Sequence, residues 1–148
     1  MALSFYSYCI TDPAYFSNIP DTFLSTLKKS LRNHKPDFVC FRDKISQNFQ
    51  ELATVFVNEC KNQQIKNILI NSYVELACQL NADGVHLTSS QFDAIQTAKS
   101  NNLFVIISCH TLDEIEKAKL LGADAVTYSP IFYSPKKAKP LGVAKLLE

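Results

Sequence analysis

Short apolar runs alternate with longer stretches in which apolar residues return every three or four positions, and this alternation runs the length of the chain. Phe5 to Ile10 reads as a strand closed by the turn Thr11-Asp12-Pro13. Asp21 is placed to cap a helix whose apolar positions Phe23, Leu24, Leu27 and Leu31 share one face. Phe38 to Phe41 predicts a second strand, and Phe49, Leu52, Ala53, Phe56 and Cys60 a second amphipathic helix. Ile68-Leu69-Ile70 is a third strand ending at Asn71-Ser72, and Val74 to Leu80 a short helix. Val85-His86-Leu87 follows as strand four, with Ser90 the candidate cap of the helix that carries Ile95 and Ala98. Leu103 to Ile107 is the most strand-like run, ended by Ser108-Cys109-His110. Thr111 with Glu114 three residues on makes a capping box, so a helix starts there and runs to Leu121. Ala125 to Tyr128 is strand six, and Gly142 to Glu148 has the makings of one more helix.

One module occurs twice in this pattern, as Leu80-Asn81-Ala82-Asp83-Gly84-Val85-His86-Leu87 and Leu121-Gly122-Ala123-Asp124-Ala125-Val126-Thr127-Tyr128. Each copy follows an amphipathic stretch and precedes an apolar run. Asn81 and Gly122 are residue types that readily adopt the left-handed conformation just past a helix C-terminus. The copies therefore read as a helix turning into a buried strand, two strand-plus-helix lengths apart. Six strands alternating with five helices imply a parallel sheet covered by helices, either an α/β barrel or a doubly wound sheet. The short spacing between strands favours the barrel. In either fold ligands meet the C-terminal ends of the strands, where Arg42, Lys44, Asn71, Ser72, Thr88, Ser108, His110 and Ser129 are expected to lie.

With 148 residues, 47% apolar, and a net charge of +1, the sequence implies a single domain with a sizeable core. The balanced charge argues against nucleic acid or an anionic membrane as partner and leaves small molecules. No run approaches the length of a membrane span and no basic-then-apolar leader opens the chain, so neither export nor anchoring is expected. Five scattered cysteines, without CxxC spacing, fit a reducing cytoplasm.

Arg42 and Lys44 place two cationic donors at the end of strand two, a disposition that suits phosphate or carboxylate; a solvated turn with Asp43 as partner is the alternative. Lys136, Lys137 and Lys139 admit an anion-binding reading or a merely soluble loop. His110 lies between a buried strand and a helix N-terminus, where imidazole suits proton transfer near neutral pH, and where His110 or Ser108 is otherwise a helix cap. His86, inside strand four, reads first as a hydrogen-bonded core histidine. Cys109 and His110 are adjacent and point apart, so they make no nucleophile pair. There is no GxGxxG, Walker or HExxH motif, which argues against dinucleotide and nucleoside triphosphate binding.

The strand-end segments resemble, in order, those of the thiamine phosphate synthase and TenI family: Val39-Cys40-Phe41-Arg42-Asp43-Lys44, Leu69-Ile70-Asn71, Ala82-Asp83-Gly84-Val85-His86-Leu87, Ser108-Cys109-His110-Thr111-Leu112, and Ser129-Pro130-Ile131-Phe132 to Pro140-Leu141-Gly142. The resemblance implies a (β/α) TIM-barrel type fold, here incomplete, with about six parallel strands, helices outside, and the last two strand-helix units lacking. It implies either of two activities. Synthases join a pyrimidine diphosphate to a thiazole phosphate with magnesium, whereas TenI-type relatives isomerise a thiazole phosphate carboxylate. Arg42, Lys44 and Asn71 match the synthase positions that bind diphosphate, and Ser134 and Lys137 match a substrate-contacting loop. Ser108 joins them as a strand-end ligand candidate. Ser72 and Gln91 stand where synthases carry magnesium carboxylates, with Asp93 two residues beyond the second. His110 matches the TenI proton-transfer residue. The expectation is a TenI-like tautomerase without metal or other cofactor. A magnesium-dependent synthase and a non-catalytic ligand-binding or regulatory remnant are the alternatives. The expected ligand is a small phosphorylated thiazole or pyrimidine, and the expected assembly a homo-oligomer that covers the edge strands.

Overall fold

The computed structural model describes residues 5–135 and 137–147. The chain divides into two compact units, Met1–His86 and Leu87–Glu148. The first runs β1 (Tyr8–Ile10), α1 (Pro20–Asn33), β2 (Phe38–Phe41), α2 (Phe49–Asn62), β3 (Ile68–Asn71), α3 (Val74–Gln79) and into β4 (Gly84–Leu87). These strands pair in parallel and in sequential order, with Ile10 opposite Cys40, Phe41 opposite Ile70 and Asn71 opposite His86. A doubly wound sheet would reverse its strand order. The unbroken order is that of the (β/α) barrel type, which decides between the two folds the alternation left open in favour of the one that spacing and resemblance implied.

Helix α1 buries Phe23, Leu27 and Leu31, one residue per turn, and α2 buries Leu52, Ala53, Phe56, Val57 and Cys60. Three successive residues are buried in β2 and in β3, as expected where both faces of a parallel sheet are covered. Phe41 joins the layers, with its ring centroid 6.0 Å from Phe23 and 5.7 Å from Phe56.

Two local expectations are corrected in this unit. Strand β1 starts at Tyr8, and Phe5 and Tyr6 are exposed, because the ladder to β2 opens with Tyr8 opposite Phe38. Asp21 does not cap α1. Pro20 occupies the first helical turn after Ile19, and Asp21 stands one residue inside, where its charge complements the helix dipole.

The second unit contains α4 (Ala94–Ser100), β5 (Phe104–Cys109), α5 (Leu112–Leu120), β6 (Ala125–Tyr128) and a 3-10 turn at Val143–Leu146 in place of the expected final helix. Strands β5 and β6 pair in parallel from Ile106 opposite Ala125 to Cys109 opposite Tyr128. The capping box forms, with Thr111 Oγ1 accepting the Glu114 N–H. Ser90 is not a cap. Residues 88–91 close their own turn through the Gln91 N–H and the Thr88 carbonyl, so α4 begins only after Asp93.

Both module copies adopt the same geometry. Asn81 has φ 51° and Gly122 φ 86°, and the next N–H, of Ala82 or Ala123, reaches back to Ala77 or Ala118. The aspartate of each copy then latches the preceding strand. The Asp83 carboxylate accepts the Ile68 N–H at 2.8 Å, and that of Asp124 the Val105 N–H at 2.7 Å. Asp37 does the same before β2, taking the Ser7 N–H at 2.7 Å and the Ser7 hydroxyl at 2.8 Å, bonds that hold its carboxyl below the usual range. Among the described residues, no helix is long and apolar enough to cross a membrane.

Candidate functional site

In the first unit the end of β2 presents Arg42. Its N–H donates to Thr11 Oγ1 at 2.8 Å, and the Thr11 hydroxyl donates to the Arg42 carbonyl at 3.2 Å. Arg42 Nη1 lies 3.6 Å from Asp12 Oδ2, so its acidic partner is Asp12. Asp43, the partner considered from sequence, folds a turn of its own by accepting the Ile45 and Ser46 N–H groups at 2.9 Å. Burial raises the Asp43 pKa, but those bonds outweigh it and leave the carboxyl below its ordinary value. Lys44 is exposed. Asn71 turns its side-chain amide onto the β4 backbone, donating to the His86 carbonyl at 3.0 Å, and its Oδ1 accepts the Ser72 hydroxyl at 3.2 Å. Ser72 has φ 69°, a strained left-handed conformation for a serine.

His86, on β4, is buried and stacked on Tyr8 with ring centroids 5.7 Å apart. Its Nδ1 is hydrogen-bonded to Tyr8 Oη at 2.7 Å. Burial first, and the Arg42 guanidinium second, lower the His86 pKa from 6.5 to about 4. Burial likewise raises Tyr8 well above the phenol range and pushes Cys40 up to about 12. At neutral pH the interior here is thus uncharged. Because folding depresses the His86 pKa, its contribution to stability is present above about 6.5 and is lost as pH falls towards about 4. The stability difference between the wild type and His86→Gln should narrow by roughly 2 kcal/mol between pH 7 and pH 4.5, measured by urea denaturation. An unchanged difference would mean that His86 titrates as it does in the unfolded chain.

In the second unit His110 follows β5. Its Nδ1–H donates to the Ser129 carbonyl at 2.6 Å. A carbonyl only accepts, so the proton resides on Nδ1 and, in the neutral ring, Nε2 carries the lone pair. The His110 main-chain N–H donates to the Glu114 carboxylate, which holds the residue from the capping box. Ser108 Oγ accepts the Thr127 hydroxyl at 3.3 Å. Cys109 is buried, and burial, with Glu114 adding, pushes its thiol up to about 11. A reactive thiolate there is disfavoured. The loop after β6 is closed at its base by Leu141 and Gly142, which donate to the Pro130 and Ile131 carbonyls at 2.8 and 3.0 Å. Ser134 and Lys137 belong to this loop, joined by the Lys137 N–H on the Ser134 carbonyl at 3.2 Å; Lys137 is exposed, and Lys136 lies outside the described residues.

The expected residues therefore fall into two sets. Arg42, Lys44 and Asn71 belong to the first unit, and Ser108, His110, Ser134 and Lys137 to the second. Thr11, Asp12, Tyr8 and the latching aspartates were missed from sequence. The recurrence of aspartate just before β2, β4 and β6 was the available signal for the latches. A groove of about 730 Å³ lies between the loops after β1 and β2, lined by residues such as Phe16, Ile19, Ile45 and Asn48 and by none of the expected site residues.

Comparison with known proteins gives a consistent answer. The family model described as thiamine monophosphate synthase matches residues 7–148. A putative thiamine-phosphate synthase 2 of Aquifex aeolicus is 32% identical over 146 residues, 95% of this chain and 76% of the relative. A thiamine-phosphate synthase of Bacillus velezensis is 37% identical over 70 residues, a match spanning 47% of this chain and 31% of that protein. The solved structure of a thiamine phosphate pyrophosphorylase from Pyrococcus furiosus superposes with a TM-score of 0.75 at 21% identity, covering 94% of this chain and 66% of that one. That likeness establishes the fold.

Proposed function

The chain belongs to the thiamine monophosphate synthase family, and from that premise we propose that it is a TenI-like thiazole phosphate tautomerase with His110 as its acid and base. The observation that carries this reading is the bond from His110 Nδ1–H to the Ser129 carbonyl, which leaves the Nε2 lone pair as the proton acceptor. Nε2 takes a proton from one position of the substrate ring and returns it to another, so proton and charge balance over the cycle. In the first unit Arg42 and Lys44 are the cations for anionic groups, with Asn71 beside them; Ser108, Ser134 and Lys137 are polar contacts in the second.

Magnesium has no part in this mechanism. Ser72 and Gln91, at the positions of the synthase carboxylates, are neutral, and Gln91 Oε1 already accepts the Thr88 N–H at 3.0 Å and the Thr88 hydroxyl at 3.1 Å. A hard divalent cation prefers charged oxygens. Turnover should therefore be unchanged by EDTA. The second reading, a thiamine phosphate synthase, draws support from Arg42, Lys44 and Asn71 and from the relatives' names.

Assaying the purified chain with the thiazole phosphate carboxylate tautomer, with and without the pyrimidine diphosphate and magnesium, separates the readings. Isomerisation without either addition supports the tautomerase. Coupling that requires both supports the synthase, and ligand binding without turnover supports a non-catalytic protein. We also propose a homo-oligomer. All four residues of β6 remain half-buried, the state of a strand that a neighbouring chain would cover. Sedimentation of a compact monomer at micromolar concentration would overturn that assembly.

A further inference from the structure

We infer that Thr11 is the residue that positions Arg42 to receive an anion, an inference that rests on the reading of Arg42 proposed above. The ladder between β1 and β2 ends with Ile10 opposite Cys40, and the Thr11 N–H adds a bond to the Cys40 carbonyl at 3.0 Å. In an unbroken parallel ladder the next bond would run from the Arg42 N–H to the Thr11 carbonyl. The Thr11 side chain takes that place. Its hydroxyl accepts the Arg42 N–H at 2.8 Å and donates to the Arg42 carbonyl at 3.2 Å, so one oxygen engages both main-chain groups of Arg42.

Thr11 is 2% exposed, which keeps water from replacing the clamp. Its β-branched side chain also restricts the hydroxyl to few rotamers. Asp12 complements the clamp. Its Oδ1 accepts the Ala14 N–H at 2.8 Å, which fixes its own turn, while Oδ2 faces the Arg42 guanidinium. Consecutive residues just past β1 thus hold the backbone and the head group of one cation just past β2. A side-chain rung lets the two main chains part at the end of the ladder while Arg42 stays in register.

Calorimetry with inorganic pyrophosphate as probe tests the role. Thr11→Val and Thr11→Ala should each weaken binding about tenfold, while Thr11→Ser, which keeps the hydroxyl, should stay within about threefold of wild type. Thr11→Val should add nothing in an Arg42→Gln background, because its effect passes through Arg42. Amide exchange at Arg42 should accelerate by about tenfold or more in Thr11→Val and Thr11→Ala, and not in Thr11→Ser. Equal losses with and without Arg42 overturn the inference, since a general lesion would act in both backgrounds. Binding weakened by Arg42→Gln but not by Thr11→Val overturns the role of Thr11 and leaves that of Arg42 standing. Binding that Arg42→Gln leaves unchanged overturns both.

Discussion

On the proposed tautomerase reading, replacing His110 with alanine should lower turnover by about 100- to 10,000-fold, the usual contribution of a positioned acid or base, with little change in KM. The ring makes one polar contact among the described residues, with the Ser129 carbonyl. The main-chain bond to Glu114 and the capping box do not need the imidazole, so α5 stays anchored in the variant. Loss of turnover with an unchanged circular dichroism spectrum is therefore the expected result. Full turnover in His110→Ala would restrict this residue to shaping the start of α5.

The largest structural effect is expected at Phe56. Its side chain is 1% exposed and packs on Phe41, which in turn meets Phe23, so truncation to alanine opens a hole between α2 and β2. Losses of about 3–5 kcal/mol accompany such changes, a large part of the roughly 5–15 kcal/mol that stabilises a domain. The urea midpoint should fall by more than about 1 M. Arg42 follows Phe41 directly, so pyrophosphate binding should weaken as the strand end loosens. A loss below about 1 kcal/mol would mean that α2 collapses onto the gap.

The alternation of strands and helices was legible because its signals are local. Three-and-four spacing marked Phe23, Leu27 and Leu31, the capping box marked the start of α5, and Asn81 and Gly122 marked the two left-handed turns. Position at the strand ends singled out Arg42, Lys44, Asn71, Ser108 and His110, and the family resemblance added Ser134 and the roles expected of them. What remained hidden depends on contacts between distant positions. Tyr8 and His86 are 78 residues apart, and Thr11 and Arg42 are 31 apart, so neither pair leaves a trace in periodicity. Asp12 was read as part of a turn, which it is through Oδ1, and nothing in the local pattern pointed to Arg42 at its other oxygen. Phe5 and Tyr6 look like strand residues by composition, yet strand formation needs a partner, and β2 offers its first rung only at Phe38.

The latching aspartates bear on the order in which the chain acquires structure. They tie β1 to β2, β3 to β4 and β5 to β6 across sequence separations of only 30, 15 and 19 residues. Closing a loop costs entropy that grows only logarithmically with its length, so the longest of these closures exceeds the shortest by about 0.6 kcal/mol. Parallel pairs form slowly as a class, because a whole crossover must close before the pairing repays it, and these short separations keep that cost low. As the polypeptide emerges during synthesis, β1 can therefore be captured once Asp37 appears, without waiting for later strands. The same step recurs at Asp83 and at Asp124, so an edge strand acquires its neighbour before a long stretch of unpaired backbone accumulates.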